Sequence, residues 1–306
     1  MSQAGTWVEV TAKHPCPICG HDHWCRVSRD GGTAVCRRVA GGQHRVDRAG
    51  QDCWVYRLRD GPPSAPDEPP PAAEPECADT PTRHAVYSAL FDLLELSQAH
   101  RDNLHGRGLS DVQIALRGYR SMPAQGRARL ARALEHRFGR DVCLRVPGVY
   151  LKTEGARSWL SIAGWSGLLI PVRDLQHRVV ACSLRVDEEA SGGKYRFLSS
   201  KSHDGPGPGA PVHLPLDDRP KDVVAVVEGA LKADIVTALW DVPAIGLPGV
   251  GAWRQMFPVL AELGTTRVRL LFDADAWANP DVGRSLKAAW AALKTHNLPA
   301  EIGRWT

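Results

Sequence analysis

The sequence of 306 residues lacks the long apolar segments that an integral membrane protein needs. It contains no apolar run of roughly 18 residues, which excludes a membrane-spanning helix of ordinary length. The first residues, MSQAGTWVEVTAKH, also lack the apolar centre of a cleaved signal peptide. We therefore expect a cytoplasmic protein with no membrane partner.

One segment of the chain also lacks basic residues. Residues 61–82 contain no lysine and no arginine. This segment reads GPPSAPDEPPPAAEPECADTPT and holds eight prolines and five carboxylates. A chain of this composition buries little apolar surface and acts as an extended spacer. We predict that it is a linker between a small N-terminal module, residues 1–60, and a larger body, residues 83–306.

Outside this acidic segment the chain is mildly basic. Residues 1–60 carry nine Lys and Arg against six Asp and Glu, and residues 83–306 carry 29 against 23. A basic surface favours phosphate-bearing partners such as nucleic acids, although ordinary soluble domains also carry charges of this size. Net charge alone therefore does not decide between a nucleic-acid-binding protein and another soluble protein.

Four of the eight cysteines lie close together in CPICGHDHWCRVSRDGGTAVC. The C-x-x-C pair is followed by a glycine, and the Asp-Gly-Gly in the later segment is typical of a β-hairpin turn. Together these turns would direct four thiolates at one ion, and four sulfur ligands favour zinc. We predict a zinc ribbon whose folding depends on one structural Zn²⁺ per chain. The predicted ligands are Cys16, Cys19, Cys25 and Cys36.

The sequence alone does not exclude other zinc ligands. His14, His21, His23 and Cys53 lie near enough in the sequence to replace one of the four cysteines. A structural disulfide is disfavoured in a reducing compartment, and a redox C-x-x-C normally opens a helix, whereas a hairpin follows here. We expect unliganded thiols at Cys77, Cys143 and Cys182.

The N-terminal module is also rich in arginine and contains aromatic residues. Arginines neutralise phosphates, and aromatic rings stack on unpaired bases. We predict that the arginines contact single-stranded nucleic acid, whereas Trp24 and Trp54 form the small core of the ribbon. The arginines are Arg26, Arg29, Arg37, Arg38, Arg45 and Arg48.

The C-terminal part of the chain alternates apolar strand patterns with helical patterns. This alternation indicates a parallel sheet covered on both faces. We therefore predict a multi-domain α/β protein, with a zinc ribbon, a linker, a mixed α+β basic subdomain that is helical over 84–139, and a C-terminal doubly wound parallel sheet. The strands of that sheet are predicted at 222–228, 242–247, 266–272 and about 300–304.

Three carboxylates follow strands of the predicted sheet: Glu228, Asp273 and Asp275. Ligands bind at the carboxyl ends of parallel strands, so we expect all three at one edge. A divalent cation would offset their mutual repulsion, and oxygen ligands suit Mg²⁺ or Mn²⁺. Each carboxylate alone would be an ordinary turn or cap residue; their combination at this spacing indicates a metal site.

The segments VVAVVEGALKADI and RLLFDADAWANPDVGRSL resemble the two signature motifs of TOPRIM domains. Upstream, GLLIPVRD, RVVACSLR and KYRFLSS are similar to runs that precede the TOPRIM domain in bacterial replicative primases. The order of zinc ribbon, linker, basic subdomain (83–215) and TOPRIM domain (216–306) is similar too. The resemblance is closest to the primase-like TOPRIM proteins of plasmids, integrative elements and phages.

This resemblance implies a DNA primase, a metal-dependent nucleotidyltransferase that makes RNA primers on single-stranded DNA from ribonucleoside triphosphates. The primers would serve the replication of a mobile element or phage. The resemblance also implies that Glu228, Asp273 and Asp275 are the catalytic, metal-binding residues. Contacts to nucleotide or template are expected from Arg173, Arg185, Lys194, Arg196 and Lys232.

The sequence departs from the primase pattern in three places. The cysteine spacing is not the primase C-x-x-H and C-x-x-C arrangement, Ser183-Leu184-Arg185 stands at a Gly-Gly-Arg run, and Lys232 stands at an aspartate. The lysine leaves the number of catalytic metals open. The chain has no Walker A motif, so a replicative helicase would have to act in trans.

Two other functions stay open at this point. One is a TOPRIM nuclease or strand-breaking enzyme, although none of the five tyrosines lies in a recognisable topoisomerase setting. The other is a non-catalytic DNA-binding module that recruits a helicase.

Overall fold

The computed structural model divides the chain into two compact units, Met1–Ala73 and Glu74–Thr306. Among the described residues, none of the helices combines the length and the apolar character needed to cross a membrane. The structure describes residues 7–47, 51–58, 75–188, 193–240, 242–272 and 280–303.

The N-terminal unit contains a five-stranded antiparallel sheet. The predicted hairpin is confirmed, because Arg26 lies opposite Val35 on neighbouring antiparallel strands and Gly31 takes a positive φ of 68° in the turn. The strands are β1 (Trp7–Glu9), β2 (Arg26–Ser28), β3 (Thr33–Cys36), β4 (Gln43–Val46) and β5 (Asp52–Arg57), in the order β1-β2-β3-β5-β4.

The interior of this unit is filled by sulfur rather than by aromatic rings. Cys16, Cys25 and Cys36 are buried together with Val10. The prediction that Trp24 belongs to the core is wrong, because 64% of its surface is exposed. The physical reason is that the cysteines already occupy the small interior. Trp54 is half-buried, and its ring centroid lies 5.8 Å from that of His44.

The larger unit begins with helices. The predicted N-cap at Ser110 is confirmed, since its hydroxyl accepts from the Gln113 amide and the Gln113 side chain accepts from the Ser110 amide. Gly118, at φ 73°, ends that helix. The helices are α1 (Thr80–Asp92), α2 (Gln98–His105), α3 (Asp111–Arg117), α4 (Arg127–Phe138) and α5 (Arg140–Leu144).

Helix α1 starts inside the range 61–82 that the sequence predicts as linker. The side chain of Asp79 caps it by accepting from the Thr82 amide, and Pro81 lies in the first turn, where a proline costs no hydrogen bond. Ala78 is buried, and its amide donates to the Arg145 carbonyl. The folded body therefore begins before residue 83.

A four-stranded antiparallel sheet lies at the centre of the subdomain. Helices cover both of its faces: Leu169 packs with residues of α1 and α4, and Ile170 packs with residues of α2 and α3. Its order is β11-β10-β9-β6, and β7 and β8 form a separate hairpin. The strands are β6 (Arg120–Met122), β7 (Val149–Glu154), β8 (Arg157–Ile162), β9 (Gly167–Arg173), β10 (Val179–Val186) and β11 (Tyr195–Phe197).

The C-terminal sheet is parallel throughout, which confirms the doubly wound fold expected from the sequence. Its order is β13-β12-β14-β15, with residues of α6 packed on one face and residues of α7 and α8 on the other. The elements are β12 (Val223–Glu228), α6 (Ala230–Leu239), β13 (Ala244–Leu247), α7 (Met256–Glu262), β14 (Arg267–Leu271), α8 (Pro280–Thr295) and β15 (Ala300–Ile302).

The register of this sheet defines one carboxyl edge. Val227 lies opposite Gly246 of β13 on one side and Leu271 of β14 on the other. Strands β12 and β14 therefore end side by side, and Glu228 is the last residue of β12.

Candidate functional site

The four predicted zinc ligands come together in the N-terminal unit. The Sγ atoms of Cys16, Cys19, Cys25 and Cys36 all lie within 4.8 Å of one another. The Cys19–Cys25 and Cys25–Cys36 sulfur distances are 3.7 and 3.9 Å. With Zn–S bonds of about 2.3 Å, a tetrahedron of sulfurs has edges of about 3.8 Å. The four side chains therefore fit a tetrahedral zinc ion.

Local backbone geometry forms this cluster. Gly20 takes a positive φ of 72°, and its amide donates to the Cys16 carbonyl at 2.8 Å, which closes the knuckle. The amides of Arg38 and Val39 donate to the Cys36 sulfur at 3.4 and 3.3 Å. Amide donors of this kind stabilise the negative charge of a metal-bound thiolate.

The electrostatics of the cluster favour a bound cation. Burial raises the pKa of the Cys25 thiol, and the neighbouring sulfurs of Cys36, Cys16 and Cys19 raise it further. Four thiolates packed this closely repel one another, and a divalent ion at their centre offsets that repulsion. Structural zinc is the group that this donor set suits.

The alternative ligands lie outside the cluster. Within the described residues, the four cysteines are the one group found to be arranged for a metal ion. His21 Nδ1 lies 3.0 Å from the Cys19 carbonyl oxygen, and His23 lies between Asp22 and Arg38. Free thiols are carried by Cys53, Cys77, Cys143 and Cys182, of which Cys77 is exposed.

The second candidate site is the carboxyl edge of the parallel sheet. Glu228 ends β12, and Gly229 follows with φ 85°, a conformation that strains any residue with a Cβ. The Gly229 amide donates to the Leu247 carbonyl at 2.7 Å. Asp273 and Asp275 lie outside the described residues, so their approach to Glu228 stays a prediction.

An open pocket adjoins this edge. Gly229 and Gly246 line one side of the pocket, and Tyr195, Arg196 and Phe197 of β11 line another. The structure thus brings Arg196, predicted to bind nucleotide or template, next to the turn that follows Glu228. A Cβ at Gly229 would meet nothing within 4 Å, so this glycine leaves room for a ligand near the backbone.

The tryptophan beside Arg196 was not singled out from the sequence. The Arg196 guanidinium lies 3.8 Å from the ring centroid of Trp165, which is 44% exposed. Because a guanidinium stacked on an aromatic face keeps its charge and its donors, the pair presents a fixed positive charge at the surface.

The other predicted basic residues lie in different environments. Arg185 shares a face of β10 with Ser183, which lines the pocket. Lys194 is exposed just before β11, and Lys232 is half-buried in the first turn of α6. The Arg173 guanidinium donates to the carbonyls of His177 and Arg117, so its hydrogen bonds support the loop and helix beside it.

A buried polar network anchors α6 behind this edge. Asp234 is only 2% exposed, and it accepts a hydrogen bond from the Tyr119 hydroxyl at 2.7 Å. The Arg117 Nε lies 3.4 Å from the Asp234 carboxylate. Burial raises the pKa of Tyr119 well above its ordinary value, and the nearby Asp234 charge raises it further. The tyrosine therefore stays protonated, and its hydroxyl donates a hydrogen bond to the carboxylate.

His213 completes the network from a third segment. Its Nδ1 accepts from the Arg173 amide at 3.1 Å, and its Nε2 lies 3.3 Å from the Asp234 carboxylate. A neutral ring that accepts at Nδ1 carries its proton on Nε2, which matches a donation to Asp234. The His213 backbone also pairs with Gly246, a residue of the pocket wall.

Sequence reasoning missed this network, although one signal for it exists. Asp234 interrupts the apolar helix sequence ALKADIVTAL, and a buried carboxylate needs partners. Tyr119 and Arg117 are the partners, but nothing in their own local sequence identifies them. The network fixes α6, whose first turn follows Glu228 and Gly229.

Comparison with known proteins gives structural matches alone. No protein-family model matches the sequence, and no curated protein matches it. The primase of Aquifex aeolicus (zinc-binding and RNA polymerase domains) matches with a TM-score of 0.58 and 14% identity, over 74% of this chain and 56% of that one. The chain thus spans little more than half of that structure.

Two further structures match over similar lengths. A DNA primase domain from Pseudomonas aeruginosa gives a TM-score of 0.56 at 16% identity, over 73% of this chain and 71% of that one. A DnaG primase catalytic domain bound to ssDNA gives 0.50 at 19% identity, over 74% of each chain. The chain therefore has the fold of bacterial primase catalytic cores, as its motifs predicted.

The metal site is tested by Cys25→Ser, with Cys77→Ser as the matched exposed control. We expect about one zinc per chain in the wild type and in the control, and loss of zinc from Cys25→Ser because the tetrahedral donor set is incomplete. Elemental analysis measures the metal, and circular dichroism reports the unfolding of the N-terminal unit. Full zinc retention by Cys25→Ser would assign the site to other ligands.

The anchoring network is tested by Asp234→Ala, with the exposed Asp218→Ala as control. The substitution leaves the buried Arg117 guanidinium without its counter-charge. We expect the free energy of unfolding in urea to fall by about 3–5 kcal/mol, and the control to change it by less than about 0.5 kcal/mol. A loss below about 1 kcal/mol for Asp234→Ala would show that the network does not hold the fold.

Proposed function

We propose that the chain is a primase-like nucleotidyltransferase that synthesises RNA primers on single-stranded DNA during the replication of a mobile element or phage. One observation carries the proposal. In a fold shared with primase catalytic cores, Glu228 and Gly229 lie at the carboxyl edge of the parallel sheet, beside the pocket that Arg196 lines.

The residues of this edge suit a hard divalent cation. Glu228 supplies a carboxylate oxygen, the donor that Mg²⁺ and Mn²⁺ prefer. The proposal adds Asp273 and Asp275, which follow the neighbouring strand β14 in the sequence. When bound, the metal supplies neutralisation of triphosphate charge and activation of the attacking hydroxyl.

The chain's own residues would perform the remaining work. Glu228 would accept the proton of the primer 3′-hydroxyl. Gly229, with no side chain, would let a phosphate approach the amides at the start of α6, where the helix dipole favours negative charge. Arg196 and Lys232 would neutralise the remaining phosphate charge and orient the nucleotide.

The template would be held by the zinc ribbon and the basic surface of the larger unit. One structure with this fold is titled as a primase catalytic domain bound to ssDNA, which supports the same partner here. The excess of basic residues in both units has the sign that DNA phosphates require.

The decisive experiment is incorporation of radiolabelled ribonucleotides on single-stranded DNA, with Mg²⁺ or with Mn²⁺. We expect the wild type to make short RNA products. Glu228→Gln should reduce the rate by about 10²- to 10⁴-fold, because it removes a proton acceptor and a metal ligand. Glu262→Gln is a matched control, since Glu262 is an exposed acid at the end of α7 in the same unit and should leave the rate unchanged.

The same assay includes the outcomes that would contradict the proposal. The protein would be identified as a nuclease if the wild type cleaves the DNA and makes no RNA, and if Glu228→Gln does not cleave the DNA. Binding of DNA with no product under either metal would favour a recruitment module.

A further inference from the structure

Trp24 has the most exposed large apolar side chain in the described part of the N-terminal unit. It lies between two predicted zinc ligands, Cys19 and Cys25, in a segment that the metal site would hold rigid. An exposed indole forfeits the favourable burial of a large apolar surface. The exposure of Trp24 is therefore better explained by a function than by a contribution to stability.

The backbone at Trp24 is strained. Its φ of 68° lies in the left-handed region, which bulky residues rarely adopt. Such conformations persist where the surroundings enforce them, and they cluster at ligand-binding sites. Here the next residue, Cys25, is buried in the sulfur cluster, so the chain is fixed on one side of the indole.

A cation lies against the ring. The Arg38 guanidinium is 5.0 Å from the Trp24 ring centroid, and its NH2 group lies 2.8 Å from His23 Nε2. The His23 ring meets Trp24 edge-on at 5.4 Å. The amide of Arg38 donates to the Cys36 sulfur, so this side of the arrangement is also tied to the cysteine cluster.

These contacts leave most of the indole open. Arg38 lies over the ring and His23 makes a T-shaped contact with it, and 64% of the Trp24 surface remains exposed to a planar ligand. The neighbours are a histidine and an arginine rather than apolar side chains. This combination of aromatic face and cation is the chemistry that binds unpaired bases and their phosphates.

We propose that Trp24 is a stacking platform for one unpaired base of single-stranded DNA, with Arg38 neutralising the adjoining phosphate. The proposal rests on the DNA binding proposed above and assigns a residue to it. Stacking accepts any base, so the platform would hold template without reading its sequence. The net positive charge of residues 1–60 favours DNA over an acidic or neutral partner.

The test compares variants of the full zinc-loaded chain by fluorescence anisotropy, with a labelled oligothymidine at low salt. Trp24→Ala should weaken binding about 5- to 150-fold, the range that corresponds to one stacked base. Trp24→Phe keeps an aromatic face and should retain most of the affinity. Val46→Ala truncates another exposed side chain of the ribbon and should leave binding unchanged. Equal zinc content in all variants shows that the ribbon is intact.

An abasic oligonucleotide of the same length separates stacking from charge. Without bases, wild type and Trp24→Ala should bind with equal affinity, and the salt dependence of binding should be the same for both. The proposal is overturned if Trp24→Ala binds oligothymidine as well as wild type, if it loses as much affinity on the abasic strand, or if wild type binds no single strand.

The result of this DNA-binding test does not depend on whether the chain incorporates nucleotides. Reduced binding by Trp24→Ala in a chain that makes no primers would support the platform and contradict primer synthesis. Primer synthesis with unchanged binding by Trp24→Ala would support the proposed function and contradict the platform.

Discussion

The buried carboxylate of Asp234 is the constraint on which the larger unit depends. A guanidinium stays charged in any protein environment, so the buried Arg117 requires a counter-charge, and Asp234 supplies it. Tyr119 and His213 satisfy the remaining lone pairs of the carboxylate. Because these partners come from segments far apart in the chain, the helices, the antiparallel sheet and α6 are held in one arrangement. The Glu228–Gly229 turn is positioned as a consequence.

The fold of the N-terminal unit depends on a different constraint, its cluster of four cysteine sulfurs. Its sheet is too small to bury a sizeable apolar core, and the four sulfurs occupy the interior instead. A metal at their centre would fix the loops that carry Trp24 and Arg38. The polar network in one unit and the sulfur cluster in the other thus each lie next to a surface for which a function is proposed above.

Much of this arrangement could be predicted from local patterns. Apolar periodicity predicted each strand of the parallel sheet to within a few residues, hairpin chemistry predicted β2 and β3, and the Ser110 cap is a short-range hydrogen bond. The Tyr119–Asp234 contact spans 115 residues, so no local pattern contains it. Trp24 was expected in the core because of its large apolar side chain, and its positive φ is one that residue preferences also argue against.

Nucleotidyl transfer is proposed at the carboxyl edge of β12, and a crystal structure with Mn²⁺ and a non-hydrolysable ribonucleoside triphosphate tests this proposal most directly. We expect an anomalous manganese peak at bonding distance from the Glu228 carboxylate, with the triphosphate in the pocket lined by Arg196. Manganese and nucleotide bound elsewhere, with Glu228 contacting neither, would contradict it.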